Sequence, residues 1–180
     1  MDVVIETPRL RLRTWSEGDR EEIRRIYGDE RVVRYLGDGT VRNSDEAIDG
    51  FLARRVQSQQ AAGVMLWAVV ERSSERLIGT GGLQPLQESG WIEVGYHLEH
   101  DAWGKGYATE IGVASLRHGF EVQGFEAICG IARATNVASC RVLEKIGLAH
   151  GGERHFYDTD VEFYSRERAP WLEDFAETAG

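Results

Sequence analysis

The chain has 180 residues, of which 42% are apolar, 28% are charged and only three are proline. This composition excludes a disordered or collagen-like chain and indicates a single soluble domain over residues 1–180, with a frayed tail expected over 173–180. Its formal net charge of −9 disfavours nucleic acid and anionic membranes as partners and favours cationic ones. Because the apolar run 64–70 is too short to span a bilayer and no apolar block follows a basic start, we expect a cytoplasmic protein.

The first half of the chain predicts one strand, two helices and a three-stranded meander. Leucines alternate with arginines over 9–13, which is typical of a strand with one buried face. Capping residues followed by spaced apolar side chains predict helices that begin near Ser16 and Asn43. Apolar runs separated by short polar turns predict antiparallel strands. These strands are 65–71, 77–86 and 91–98.

The second half predicts two helices, each followed by a strand. The first helix begins near Gly106 and stops at Gly119, and the second runs from Asn136 to Ile146 and is closed by Gly147. The strands are 127–132 and 161–165. The whole order predicts an α/β sandwich with a mixed sheet.

A glycine-rich segment joins the strand that ends at Leu98 to the following helix. It reads Trp103-Gly104-Lys105-Gly106-Tyr107-Ala108-Thr109. Backbone N–H groups that converge at such a turn, together with the positive end of the helix dipole, favour a phosphate or pyrophosphate. The spacing matches neither a Walker loop nor a dinucleotide fingerprint. An ordinary tight turn is the alternative.

The strand before this turn places Glu93, Gly95 and His97 on one face. A glycine inside a strand indicates a bulge, a close approach by a ligand, or packing against a bulky neighbour. A bulge at Gly95 would splay the strand from its neighbour and free N–H groups for a substrate carbonyl. Glu93 is either a functional carboxylate or part of a solvated face.

Asn136 and Ser139 open the last predicted helix and point to the same side of it. They can converge on a ligand, or Asn136 can simply cap the helix while Ser139 bonds back to a carbonyl. The five histidines show no metal-ligand spacing, so we expect no metal. Two cysteines without a secretory signal are expected to be reduced.

Together these segments resemble the GNAT superfamily of acetyl-CoA-dependent N-acetyltransferases, most closely the RimJ/RimL-type branch, which acetylates protein N-termini. The matching segments are Thr7 to Leu10, Glu93 to Tyr96, Trp103 to Glu110, Asn136 to Ser139 and Glu144 to Leu148. The resemblance implies a largely antiparallel sheet of six to seven strands flanked by about four helices, and a homodimer. The family's pyrophosphate motif begins with Gln or Arg, and Trp103 takes that place here. Tryptophan at this position is common in the RimJ/RimL-type branch.

The resemblance also implies direct attack of a primary amine on the acetyl thioester, with acetyl-CoA as co-substrate. Glu93 is then the base and Ser139 the hydrogen-bond donor to the leaving thiolate, since Leu143 replaces the family's tyrosine acid. Glu153 and Glu162 are alternative bases. The cofactor would contact Tyr96, His97, Leu98, Trp103, Gly104, Lys105, Gly106, Tyr107, Ala108, Thr109 and Asn136.

Three functions follow from this reading. The first is acetylation of a protein or peptide α-amine. The second is acetylation of a small cationic amine such as a polyamine, an aminoglycoside or an amino-acid derivative. The third is an acetyl-CoA-binding regulatory module without turnover, which the leucine at position 143 favours slightly and the presence of Glu93 and Ser139 disfavours.

Overall fold

A computed structural model describes residues 2–61, 64–87 and 89–178. Eight strands form one sheet in these ranges, in the order β1-β2-β3-β4-β5-β6-β8-β7, and every neighbouring pair is antiparallel except β5 and β6. The strands are β1 (Val3–Glu6), β2 (Leu10–Arg13), β3 (Leu66–Glu71), β4 (Arg76–Pro85), β5 (Ile92–Leu98), β6 (Ala127–Ala132), β7 (Ala149–Phe156) and β8 (Thr159–Glu167).

Six α-helices connect or flank these strands within the described ranges. They are α1 (Arg20–Tyr27), α2 (Glu30–Val33), α3 (Asp45–Ala61), α4 (Tyr107–Arg117), α5 (Val137–Lys145) and α6 (Arg168–Thr178). A π-helical turn, His118–Val122, extends α4. No helix in the parts of the chain that the structure describes is long and apolar enough to cross a membrane.

The predicted fold class and the meander of β3, β4 and β5 are confirmed, although the sheet has eight strands rather than six or seven. The two unpredicted strands, β1 and β7, form the two edges of the sheet. Both are largely exposed, so they lack the buried alternation that marks a strand in sequence. Residues 173–178 of the expected frayed tail belong to α6, and residues 179–180 lie outside the described residues.

The helices divide between the two faces of the sheet. Gly81 of β4 is paired with Tyr96 of β5, and a Cβ at Gly81 would lie 2.5 Å from Ile111 of α4, so this face carries α4. On the opposite face, the His97 ring packs edge-on against Tyr27 of α1, with 6.2 Å between the ring centroids. Consecutive residues of β5 therefore project towards different helices, and this alternation organises the site described below.

Candidate active site

The sheet opens between its two central parallel strands. β5 pairs with β6 only at Glu93 and Cys129, while its other edge pairs with β4 from Pro85–Ile92 to Gly79–Leu98. The predicted splay of β5 from a neighbour is therefore present. Of the explanations left open for Gly95, the bulge is wrong, because the pairing with β4 shows no register shift.

Close packing, and not a bulge, explains why position 95 is glycine. A Cβ at this position would lie 3.2 Å from Leu66 Cδ2, tighter than most such contacts. The absence of a side chain also leaves the β5 backbone accessible at the start of the opening. A gap of this kind exposes N–H and C=O groups of β5 to a ligand that can pair with them as a strand would.

The glycine-rich segment forms the turn that the sequence predicted for it. Gly104 and Gly106 have φ of 73° and 80°, in the left-handed region that glycine tolerates best, and α4 begins at Tyr107. The N–H groups of the first turn of a helix have no acceptor within that helix. Together with those of the turn they form a concave set of donors suited to an anion.

Two contacts that the sequence did not indicate hold this turn in place. The Arg9 guanidinium donates to the Lys105 carbonyl at 2.8 Å and, through Nε, to the Glu110 carboxylate at 2.6 Å. The Tyr107 hydroxyl donates to Glu71 at 2.6 Å, which ties α4 to β3. Arg9 is thus exposed but paired with Glu110, and the Tyr107 hydroxyl is engaged in a structural contact with Glu71.

Some of the residues predicted to contact the cofactor are exposed, and others already form hydrogen bonds within the protein. Lys105 is exposed, as are Gly104 and Gly106. The Trp103 ring is 47% exposed, yet its indole N–H donates to the Leu98 carbonyl at 2.8 Å. One acceptor position of the Leu98 carbonyl is therefore already occupied.

A cavity of about 390 Å³ occupies the gap between β5 and β6. Its walls come from strands β4, β5, β6 and β8, from α5, from the end of α1 and the middle of α3, and from the loop over residues 35–42. The polar and titratable residues that line it are Tyr27, Tyr35, Arg42, Arg55, Gln84, Glu93, Tyr96, His97, Arg133, Asn136, Ser139, Tyr157 and Thr159. Glu93, Tyr96, His97, Asn136 and Ser139, predicted from sequence, thus come together here.

Glu93 is a buried carboxyl, with 7% of its surface exposed. Burial raises its pKa to about 7, against a smaller opposing effect of the Gln84 amide, which donates to it at 3.1 Å. The charge of Glu93 in turn raises the pKa of Cys129 and of Tyr157, second to their own burial, and also that of Tyr96. A carboxyl with this pKa exchanges a proton near neutral pH, which is what a general base requires.

Ser139 and Tyr96 meet on the opposite side of the cavity. Their hydroxyl oxygens are 3.1 Å apart, and the Tyr96 hydroxyl also lies 3.3 Å from the Ser139 carbonyl. Asn136 accepts a hydrogen bond from the Ser139 N–H at 3.3 Å and so caps α5, as the simpler interpretation predicted. The simpler interpretation of Ser139, a hydrogen bond from its hydroxyl back to a carbonyl of its own helix, is wrong, because the hydroxyl contacts Tyr96.

A second group of residues in the cavity was not predicted. Arg42, Arg55 and Arg133 approach the side where His97 and Tyr27 lie. Burial, helped by the charges of Arg55 and Arg42, lowers the pKa of His97 to about 3, so this imidazole is neutral at pH 7. Arginines on a helix and in loops carry no spacing signal, and no pattern in the sequence could have shown that they converge.

The remaining candidates lie outside the cavity. Glu153 is exposed, and Glu162 interacts with His150 on the outer strands. Among the residues that the structure describes there is no group of three or more histidine, cysteine, aspartate or glutamate side chains able to hold a metal. Leu143, which replaces the tyrosine that the resemblance implies, is buried and does line the cavity.

Comparison with known proteins decides the family. The family model described as acetyltransferase (GNAT) domain matches residues 9–149. The chain belongs to the GNAT acetyltransferase family. It is 30% identical over 150 residues to an uncharacterized N-acetyltransferase, YoaA of Bacillus subtilis, a match that covers 83% of this chain and 84% of that protein. The GNAT chain is therefore an N-acetyltransferase.

Solved structures share the fold of this GNAT chain. The ribosomal-protein-S5-alanine acetyltransferase of Vibrio fischeri superposes with a TM-score of 0.75 at 19% identity, and the match covers 94% of this chain and 99% of that one. The spermidine N-acetyltransferase of Vibrio cholerae, in complex with CoA and spermine, gives 0.75 at 17% identity, covering 92% and 99%. Such distant likenesses show the fold alone.

Proposed function

We propose that this GNAT chain transfers the acetyl group of acetyl-CoA to a primary α-amine, as RimJ/RimL-type enzymes do with protein N-termini. The observation that carries the proposal is a buried carboxyl, Glu93, at the only paired position of an otherwise open gap between β5 and β6. The glycine-rich turn lies just past the end of β5. A carrier bound at the turn could thus extend along β5 towards Glu93.

The residues present fit acetyl-CoA. The N–H groups from Gly104 to Thr109 would hold the pyrophosphate, and the open edge of β5 around Tyr96 would pair with the pantetheine arm. Acetyl-CoA supplies an acetyl thioester, whose carbonyl carbon the amine attacks. A backbone N–H near Val94 or Gly95 would then donate to the carbonyl oxygen, a contact worth about 3 kcal/mol when preorganised.

The remaining proton movements are assigned to two side chains. Glu93 accepts the proton that the attacking amine loses as the C–N bond forms, directly or through a water molecule. Ser139, supported by the Tyr96 hydroxyl, donates a hydrogen bond to the sulfur as the C–S bond breaks. Glu93 projects from one face of β5. Ser139 of α5 contacts Tyr96, which projects from the opposite face of that strand.

The pKa of Glu93 suits an α-amine better than a lysine side chain. An α-amine with a pKa near 7.8 is about 15% neutral at pH 7, whereas a lysine amine with a pKa near 10.4 is only about 0.04% neutral. Making the lysine amine available costs roughly 3.5 kcal/mol more than for the α-amine at this pH. A base with a pKa of about 7 is adequate for the first task.

The proposal is tested by measuring free-thiol release from acetyl-CoA with a panel of amines. We expect release with peptides that have a free α-amine and none with the same peptides after N-terminal blocking. Lysine-containing blocked peptides serve as the matched control for side-chain amines. Binding of acetyl-CoA without thiol release for any acceptor would instead favour the regulatory module.

Replacement of Ser139 tests its assigned role. Ser139→Ala removes one hydrogen-bond donor, worth roughly 1 kcal/mol, so we expect kcat to fall about 5- to 10-fold with unchanged affinity for coenzyme A. Steady-state kinetics and calorimetry measure the two quantities. Ser58→Ala is the control, because Ser58 lies in α3 and bonds back to the Arg54 carbonyl. An unchanged kcat in Ser139→Ala would assign the donation to another group.

A further inference from the structure

The glycine-rich turn is ordered by a residue from the start of the chain. Gly104 and Gly106 have positive φ, and both are exposed. Glycine loses more conformational freedom on folding than any other residue, so a turn with two glycines needs contacts outside itself to keep one shape. Arg9, just before β2, supplies such a contact, because its Nη1 donates to the Lys105 carbonyl at 2.8 Å. The shape of the turn therefore depends on Arg9.

Arg9 is itself held by a carboxylate of α4. Its Nε donates to Glu110 Oε2 at 2.6 Å, its Nη2 lies 2.6 Å from the same carboxylate, and its backbone N–H donates to Oε1 at 3.0 Å. The Thr7 hydroxyl also donates to Oε1, at 2.6 Å. The guanidinium lies over the Tyr107 ring, 4.6 Å from its centre. Several donors on one carboxylate fix the plane of the guanidinium and so the direction of Nη1.

The contact to the Lys105 carbonyl decides where the next N–H points. The peptide bond between Lys105 and Gly106 is trans, so its C=O and N–H point in opposite directions. Because the Lys105 oxygen faces Arg9, the Gly106 N–H faces away from Arg9. The Gly106 carbonyl is fixed as well, since it accepts from the Glu110 N–H at 3.1 Å. Both peptide units around Gly106 thus have a set orientation, one through Arg9 and the other through α4.

The same ion pair neutralises a charge that opposes an anion at the turn. The N-terminal end of a helix favours negative ligands, but Glu110 places a carboxylate in the first turn of α4. Its side chain is only 15% exposed, so solvent screens this charge little. Pairing with the Arg9 guanidinium cancels it, while the exposed Lys105 adds a positive charge. The turn therefore keeps the positive potential that a pyrophosphate requires.

We propose that Arg9 is a positioning residue for the pyrophosphate of the acetyl donor: it orients the Gly106 N–H towards the anion and neutralises Glu110, without contacting the donor itself. The inference rests on the proposed function, which assigns the pyrophosphate to this turn, and adds that donor affinity depends on a residue ahead of β2. Arg9 does not line the cavity that contains Glu93. Its loss should therefore weaken donor binding and leave the chemical step unchanged.

The test compares donors with and without a pyrophosphate. Arg9→Gln should weaken binding of coenzyme A and of dephospho-coenzyme A, measured by calorimetry, about 10- to 100-fold, the range for hydrogen bonds to charged groups. The KM for acetyl-CoA should rise accordingly, while kcat stays within about 2-fold. With S-acetylpantetheine, which has the thioester but no pyrophosphate, kcat/KM should change less than about 3-fold. Arg9→Lys keeps the charge without the planar fork and should recover part of the affinity.

Arg11→Gln is the matched control. Arg11 lies two residues further along, in β2, and pairs with the exposed Glu75 at 3.0 Å, so its loss should leave coenzyme A binding unchanged. Thermal unfolding without ligand checks that Arg9→Gln is folded, and Arg9→Lys replaces it in the comparison if it is not. Parent-like affinity of the Arg9 variant for coenzyme A overturns the inference. An equal loss with S-acetylpantetheine also overturns it, since that would indicate a general structural role.

Failure of the proposed function gives a different result. If the parent chain uses S-acetylpantetheine as well as acetyl-CoA, the turn is not a pyrophosphate site, and the inference fails with it. If coenzyme A binds and Arg9→Gln weakens it as expected, but no amine releases thiol, the inference stands and the proposed acetyl transfer fails.

Discussion

Gly106→Glu is expected to weaken coenzyme A binding by at least about 100-fold. Gly106 caps α4 with φ of 80°, a conformation that costs a side-chain-bearing residue roughly 1–2 kcal/mol. The new carboxylate would also stand among the N–H donors proposed for the pyrophosphate. Like charges about 4 Å apart repel by about 4 kcal/mol at an effective dielectric constant of 20, which is more than a hundredfold in affinity. Isothermal titration calorimetry with coenzyme A measures the loss.

Gly90→Glu controls for backbone strain and added charge. Gly90 has φ of 79°, and a Cβ there meets no atom within 4 Å, but it lies in the turn between β4 and β5 and not at α4. We expect this variant to bind coenzyme A as the parent chain does. Gly106→Ala, which adds strain without charge, should fall between the two. Unimpaired binding by Gly106→Glu would show that the turn is not the pyrophosphate site.

Glu93→Gln is expected to lower kcat/KM for the acceptor by about 100-fold at pH 8, the lower end of the usual range for general bases. In the parent chain the base is active once deprotonated, so the rate should rise with pH through about 7, the pKa that burial gives Glu93. The variant should lose this rise and keep only the one due to the amine, near 7.8. A pH profile of thiol release distinguishes the two.

The same substitution should stabilise the fold at alkaline pH. The folded-state pKa of Glu93 lies above its ordinary value, so the folded chain holds the proton more tightly than the unfolded chain and loses stability as pH rises from about 4.5 to 7. Above pH 7 the glutamine variant avoids this cost, which is up to about 3 kcal/mol. Thermal unfolding at pH 5 and pH 8 measures it. Glu153→Gln, at an exposed carboxylate of β7, should change neither the profile nor the stability.

Most site features that the sequence predicted are set by residues that are neighbours in the chain. The turn at Gly104 and Gly106 follows from glycine spacing between a strand and a helix, and the structure has both residues at positive φ. The cap at Asn136 follows from its place before a helix. The role of Glu93 as the base stays a prediction from strand alternation and the family resemblance, and the structure adds that its carboxyl is buried and lines the cavity.

Other features of the site depend on contacts between residues far apart in the chain. The pairing of the Ser139 and Tyr96 hydroxyls joins positions 43 residues apart, and the Arg9 contact to Glu110 spans 101 residues. Neither side chain of such a pair signals the other in sequence. The choice among the explanations of Gly95 depended on such a contact too, since the close neighbour there is Leu66 of β3 and packing, not a bulge, accounts for the glycine.

The sequence by itself determined the fold class and the order of the central strands and helices, because hydrophobic periodicity, caps and glycine turns act over short distances along the chain. Its motifs also carried the resemblance to the family that the family model shows. Only the tertiary structure decided the two edge strands, the opening between β5 and β6, and the sign of the charge in the cavity. Arg42, Arg55 and Arg133 lie on a loop, a helix and the segment after β6, and an acidic chain gave no sign that they meet. Charge at a site is set by which side chains the fold brings within a few ångströms, and net charge averages over the whole surface.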